Sequence, residues 1–195
     1  MNTPPSSAIA VTGGIACGKS TSGEALETLG LPVLDTDAVA HDLLVNDSAV
    51  RRELRDRFGA GVFSGDAVDR KALGRVVFAD AAARQALEAI LHPRIRSRVR
   101  EWLATAGAGR VAAVQVPLLY EAGWEGEFGR VVCVACSPAV QRERLRSRGL
   151  DEAEIDRRLA AQMPVEEKMK RANVVLWNDG PKGRLVEQWH RVLGK

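Results

Sequence analysis

Apolar residues recur in two rhythms along this chain. Short, largely apolar runs occupy residues 8–12, 31–34, 111–116, 130–135 and 173–177. Such runs, bounded by turn formers, are the pattern of strands buried on both faces of a parallel sheet. Between them the spacing becomes helical. A helix is predicted from Lys19 to Leu29 with Gly30 as its stop, and Val50, Leu54 and Phe58 stand four apart. Leu73, Val76 and Val77 follow Asp69, and Leu87, Ile90 and Leu91 follow Asp80, each with helical spacing. Residues 38–106 therefore read as mostly helical with no convincing inner strand. The block is too long for a crossover helix and reads as an inserted lobe. Within it Leu91-His92-Pro93 is expected to break the helix, because a residue before proline is pushed out of the αR region.

Later, Ser137 and Pro138 suit the N-cap and first turn of a helix. A second helix is predicted from Asp151, with Glu154 completing a capping box and Pro164 closing it. After a turn over 178–180, residues 185–193 form a closing amphipathic helix. About five strands, most separated by helices, imply a three-layer α/β sandwich on a parallel sheet with right-handed crossovers. The chain reads as one domain over 1–195, without internal repeats or linkers. Its core covers 8–37, 108–140 and 173–195, with a helical lobe over 38–107 and a helical hairpin over 141–172.

The first strand leads into chemistry. Residues 12–21 read TGGIACGKST, which contains G-x-x-x-x-G-K-S between a predicted strand and a predicted helix. That context makes the string a phosphate-binding loop and the sandwich a P-loop NTPase fold. Glycines allow positive φ and close backbone approach, so the amides of Gly13, Gly14, Ile15, Ala16, Cys17, Gly18, Lys19, Ser20 and Thr21 can turn toward an anion. The helix N-terminus adds partial positive charge, Lys19 a full charge, and Ser20 a hydroxyl for Mg²⁺. The second strand delivers Asp35-Thr36-Asp37 at its carboxyl end, the edge where open α/β sheets bind ligands. Asp35 or Thr36 could equally cap the following helix. Arg142, Arg144, Arg146 and Arg148 face a single Glu143 in the hairpin, and Arg144 and Arg148 are spaced to share a helix face. Such helices are often only solvated surfaces, but here they could also fold over triphosphate charge.

Composition narrows this picture little. Of 195 residues, 46% are hydrophobic and 27% charged, which suits a soluble globular protein. The net charge of +3 fits a phosphorylated ligand and would also fit a nucleic-acid binder. No apolar run approaches the ~18 residues of a membrane span. The polar, Pro-rich residues 1–7 lack signal-peptide character, so a cytoplasmic location is expected. Three cysteines make no disulfide framework. Cys133 and Cys136 have C-x-x-C spacing, but on a strand they should point to opposite faces, and no second Cys/His pair adjoins them. Cys17 could make the loop sensitive to oxidation or alkylation, although its position asks only for a small side chain.

The phosphate loop does not say which P-loop protein this is. The chain has no N-K-x-D string and no D-x-x-G switch, and the strand ending at Val116 carries no terminal acid. A small kinase explains the size, the acidic pair and the basic hairpin. Taken in order, TGGIACGKST, VLDTDAVA, LHPRI, VPLLYEAG, SPAVQRERLRSRG, RRLAAQM and ANVVLWNDG resemble the dephospho-coenzyme A kinase family across residues 9–180.

The resemblance implies transfer of the ATP γ-phosphate to the ribose 3′-hydroxyl of dephospho-CoA, the last step of coenzyme A synthesis. It also implies that the lobe serves the acceptor and the hairpin is a lid. It puts residues 13–21 on the ATP phosphates, Asp37 near the acceptor hydroxyl as catalytic acid with Asp35 beside it, and His92 in the acceptor lobe. Pro117, Leu118 and Leu119 would wall the acceptor, Arg144 and Arg148 would belong to the lid, and Asn178 would lie near adenine. On this reading Lys19 and Mg²⁺ hold the β and γ oxygens, Asp37 deprotonates the hydroxyl, Arg144 stabilises charge on the bridging oxygen, and Asp35 holds Mg²⁺ through water. Two departures stand out. Ala16-Cys17 replaces the family's usual Gly-Ser, tolerable if φ of Ala16 is negative, and Asn173 stands where Asp is usual.

The expected partners are ATP and dephospho-CoA, with no nucleic acid and no membrane, in a monomer or weak homo-oligomer. Two alternatives are open. A shikimate-type kinase shares the Asp-x-Asp, although its Gly-Gly-Gly loop is absent here. A nucleic-acid-responsive ATPase would use the arginine hairpin on phosphodiesters.

Overall fold

A computed structural model describes residues 7–106, 108–181 and 183–194. Of the polar N-terminal stretch only Ser7 falls within them. The sheet strands are β1 (Ala8–Gly13), β2 (Val33–Asp35), β5 (Ala112–Gln115), β6 (Arg130–Ala135) and β7 (Val174–Trp177). They lie in the order β2-β5-β1-β6-β7, and every pairing is parallel. Strand β1 is therefore central, with both neighbours buried, as its unbroken apolar run requires.

Side-chain alternation divides the sheet between two helical layers. Val132 and Val134 of β6 join Ile9, Val11 and Leu176 on one face, covered by Leu26 of α1 (Lys19–Thr28) and by Leu185 and Trp189 of α9 (Gly183–Leu193). Trp189 is fully buried, and its ring N–H is satisfied by the Ser22 hydroxyl at 2.6 Å. Cys133 and Ala135 of β6 face the other side, against Val165 of α8 (Val165–Arg171). Helices on both faces of a five-stranded parallel sheet make the expected three-layer sandwich.

The chain divides into two compact units, one running to Asp35 and resuming at Trp102, the other Thr36–Glu101. The second unit holds α2 (Thr36–Asn46), α3 (Ser48–Phe58), α4 (Arg70–Ala79) and most of α5 (Ala81–Ala106). Asp47 caps α3 by accepting from the amides of Ala49 and Val50, and Asp69 caps α4 in the same way through Lys71 and Ala72. Arg94 of α5 pairs with Glu53 of α3 at 2.6 Å.

This unit corrects two expectations. It contains an antiparallel hairpin, β3 (Phe63–Ser64) with β4 (Ala67–Val68), where no inner strand was expected. Gly65, at φ 62, and Asp66 form its two-residue loop, and Gly-Asp between short runs is a hairpin signal. The second correction is Pro93, which sits inside a continuous 26-residue α5. Proline removes one helical hydrogen bond and costs about 3 kcal/mol. Buried Ala83 and Leu91 before it, and Ile95 and Val99 after it, anchor both halves of the helix. The Arg94 guanidinium donates to the Ile90 carbonyl at 2.7 Å, satisfying an acceptor beside the disrupted bond.

The hairpin region holds three helices instead of two: α6 (Pro138–Arg146), α7 (Glu152–Ala160) and α8. Pro164 does not close α7, which ends at Ala160, but stands at the N-cap of α8. Only half of the predicted capping box forms. Asp151 accepts from the Glu154 amide at 2.7 Å, while the Glu154 carboxylate turns to Arg157 and Arg158.

Candidate phosphate-binding site

The loop between β1 and α1 emerges at the carboxyl edge of the sheet's central strand. Gly13 leaves β1 at φ 147, where an added Cβ would sit 2.1 Å from the Val134 carbonyl oxygen, so no side chain fits. Gly18, at φ 103, begins α1, and a Cβ there would meet the Asn178 amide at 2.0 Å. No side chain caps α1, and its first turn carries no acid. The orphan amides of that turn thus retain the partial positive charge that attracts anions. The Lys19 ammonium reaches back over the loop to the carbonyls of Gly14 at 2.9 Å and Gly13 at 3.1 Å. Ser20 follows with an exposed side chain.

Ala16 does not meet the condition of negative φ set for it, since it stands at φ 59 in the left-handed region. Loop closure imposes that conformation. The methyl is nevertheless buried, packed with Leu145 and Ile155 of the helices above it.

The loop is held from behind by groups on other elements. The Asn178 side chain, 5% exposed, donates to the Cys17 carbonyl at 2.9 Å. Its amide is therefore committed to the loop backbone. Buried Gln141 of α6 donates to the Ile15 carbonyl at 2.8 Å. Arg144 of α6 reaches the Asn178 carbonyl at 2.7 Å and the Ala16 carbonyl at 3.3 Å. The other hairpin arginines behave differently. Arg142 pairs with Glu152 and Asp156, Arg146 with Glu152, and Arg157 and Arg158 with Glu154. Arg144 is thus the hairpin arginine that is turned onto the phosphate loop.

Arg148 does not share its helix face as expected. Helix α6 ends at Arg146, and Gly149 at φ 81 leads the chain away, leaving Arg148 exposed in the turn. Asn173, at the amino edge of the sheet, accepts from the Val131 amide at 2.7 Å. A neutral carbonyl serves that bond, so the position needs no charge.

Asp35 closes β2, the edge strand, in register with Gln115 of β5, and is half-buried. Asp37 stands exposed in the first turn of α2. His92 lies half-buried within α5, where burial pushes its pKa below the usual imidazole value, with Glu88 opposing the shift. Pro117 and Leu118 are half-buried, but Leu119 is fully enclosed and offers a ligand no surface.

Two further residues escaped sequence reasoning. Lys168 of α8 is completely buried, with its ammonium 2.7 Å from the Pro117 carbonyl and 2.8 Å from the Glu121 carboxylate. Glu121 also accepts from the Met163 amide at 2.9 Å. Nothing in the string Glu166-Glu167-Lys168-Met169-Lys170-Arg171 sets Lys168 apart from its charged neighbours, and only burial does so. Gln141 stands within the string SPAVQRERLRSRG, but its bond to the loop depends on the fold.

The cysteines also depart from expectation. Cys136 lies just past the end of β6, so strand alternation no longer governs it, and Cys133, Cys136 and Cys17 enter one buried cluster. The Cys136 thiol donates to the Cys17 sulfur at 3.5 Å. That bond, with Lys19 nearby, lowers the Cys17 pKa to about 7 against the opposing effect of burial. The same bond raises Cys136, and burial raises Cys133 to about 12.

The sequence profile described as dephospho-CoA kinase matches residues 7–183. A dephospho-CoA kinase of Anaeromyxobacter dehalogenans is 47% identical over 189 residues, covering 95% of this chain and 90% of its own. Among solved structures, a Thermus thermophilus protein superposes with a TM-score of 0.84 at 38% identity, covering 99% of this chain and 98% of its own. A dephospho-CoA kinase from Campylobacter jejuni gives 0.71 at 28% identity, with 96% of each chain covered. With the profile spanning nearly its whole length, the chain belongs to the dephospho-CoA kinase family.

Proposed function

We propose that this chain is an ATP-dependent kinase that transfers the γ-phosphoryl group of ATP to the ribose 3′-hydroxyl of dephospho-CoA, giving CoA and ADP. The reading rests on one observation above all: a phosphate loop backed by an uncapped helix, in a chain that matches a dephospho-CoA kinase over 95% of its length. Phosphoryl transfer asks a protein mainly for positioning and for charge stabilisation. The amides of residues 13–21 cradle the phosphates, with Lys19 leaving its loop carbonyls for the β and γ oxygens. Arg144 is carried by a helix that already touches the loop, so it can stabilise charge on the bridging oxygen. Asp37, two residues beyond the end of β2, orients the acceptor hydroxyl and takes its proton. Arg148, His92, Pro117 and Leu118 complete the assignment on the lid and acceptor sides, with Leu119 supporting the wall from beneath.

Mg²⁺ suits the donor set. Ser20 presents an exposed hydroxyl in the first turn of α1, and Asp35 lies at the same sheet edge. Ser20 and Asp35 would hold such an ion, which would supply positive charge against that of the phosphates. No helix of the described residues is long and apolar enough to cross a membrane. The location we assign is cytoplasmic, on the polar residues 1–7 that lack signal-peptide character.

Asp37→Asn tests the assignment. The variant should lose about a hundred- to ten-thousand-fold in kcat with dephospho-CoA while binding ATP normally. A near-normal kcat would remove Asp37 from the chemistry.

A further inference from the structure

Cys17 and Cys136 are separated by 119 positions in sequence but by only 3.5 Å between sulfurs. One lies in the phosphate loop and the other at the end of β6, the strand paired with β1 that delivers the loop. Both are free thiols in one buried cluster, and no residue stands between them. A disulfide requires the sulfurs to approach to about 2.05 Å, so its formation must close roughly 1.5 Å between the two side chains and the backbone segments that carry them. The Cys17 carbonyl receives the Asn178 amide and its sulfur the Gln141 amide at 3.7 Å, so the movement would disturb the contacts that set the loop's shape. A phosphate cradle works within about 0.5 Å of its productive geometry.

We propose that Cys17 and Cys136 form a reversible disulfide in the presence of a hydroperoxide, and that this bond shuts the phosphate loop to nucleotide. In the first step the Cys17 thiolate attacks the peroxide oxygen, giving a sulfenic acid on Cys17 and releasing an alcohol or water. In the second, the Cys136 thiol gives up its proton, its sulfur attacks the sulfenic sulfur, and water leaves. Two thiols are oxidised and one hydroperoxide is reduced to ROH and water. A dithiol reverses the bond by exchange. The depressed Cys17 pKa, caused first by the Cys136 hydrogen bond and aided by Lys19, favours Cys17 as the attacking sulfur. Both thiols are buried, so the oxidant reaches Cys17 as the loop opens, and nucleotide seated on the loop should slow the reaction.

The inference rests on the loop being the nucleotide site, and its test separates the two claims. The full-length reduced chain is treated with hydrogen peroxide, with and without ATP, and digested without reductant for peptide mass spectrometry. ATP affinity is measured in parallel, before and after dithiothreitol. We expect a peptide pair linking Cys17 to Cys136, a fall in ATP affinity of about tenfold or more, recovery with dithiothreitol, and slower linkage when ATP is present. Cys136→Ser, or Cys136→Ala if the serine variant folds poorly, should bind ATP normally when reduced and form no link. A Cys133–Cys136 link, oxidised Cys17 without a link, or a linked protein with unchanged ATP affinity would overturn the proposal. A chain that forms the link yet never bound ATP when reduced would instead contradict the nucleotide reading.

Discussion

Ala16 holds two opposing effects in one residue. Its left-handed conformation costs about 1–2 kcal/mol for a residue with a Cβ. Burial of its methyl against Leu145 and Ile155 returns about 0.8 kcal/mol, and alanine avoids the ~0.5–1 kcal/mol entropy cost of glycine. Ala16→Gly should therefore change stability by less than about 1 kcal/mol in urea unfolding. Ala16→Val should lose about 2 kcal/mol or more, because a branched side chain cannot adopt that backbone without strain. A large stabilisation by glycine would mean that the methyl contributes little. At this scale Lys19, Ser20 and the loop glycines were legible because the motif states its chemistry locally. The φ of Ala16 was not, since the closure of the loop sets it and the residue's own preference does not.

At the scale of elements, most helices and all five sheet strands were legible from period and caps. The misses share a cause: tertiary contacts overrode a local signal or supplied one too short to trust. Pro93 stays within α5 because both halves of that helix are anchored by buried residues. The hairpin strands have two residues each, too few for an alternating pattern. Helix α8 has seven residues, yet it was marked by Pro164 at its N-cap, Glu166 and Glu167 in its first turn and Lys168, Lys170 and Arg171 in its last, an arrangement that complements the helix dipole.

Helix α8 is fixed through Lys168, whose buried charge ties it to the Pro117 carbonyl and Glu121. Lys168→Met leaves both acceptors without their cation and should cost about 3 kcal/mol, read as a lower urea midpoint at unchanged slope. The double variant Lys168→Met/Glu121→Gln should cost less than the sum of the single changes, because the uncompensated carboxylate is gone. Strict additivity would show that the pair is not coupled.

For the whole molecule, parallel strand order explains why the site residues that were scattered in sequence have a common origin. Strand β1 at the centre presents the phosphate loop, β2 carries Asp35 to the same edge, and the turn after β7 supplies Asn178 to the loop's underside. The sequence pattern disclosed the order of elements and the phosphate loop that follows the central strand. It could not disclose the supports from Gln141, Asn178 and Lys168, because each is a contact across more than fifty residues, and the strings that contain Gln141 and Asn178 do not say which carbonyl either amide will meet. The proposed function moves the γ-phosphoryl group from ATP to one hydroxyl of one acceptor. Its most direct test is to incubate the chain with ATP and Mg²⁺ and either dephospho-CoA, shikimate, single-stranded DNA or water alone, and to locate phosphate in the products by ³¹P NMR. A new 3′-phosphomonoester should appear on dephospho-CoA, formed one for one with ADP, with no comparable turnover for the other three. ADP release that is stimulated by DNA, or a phosphate placed anywhere other than the 3′ position, would contradict it.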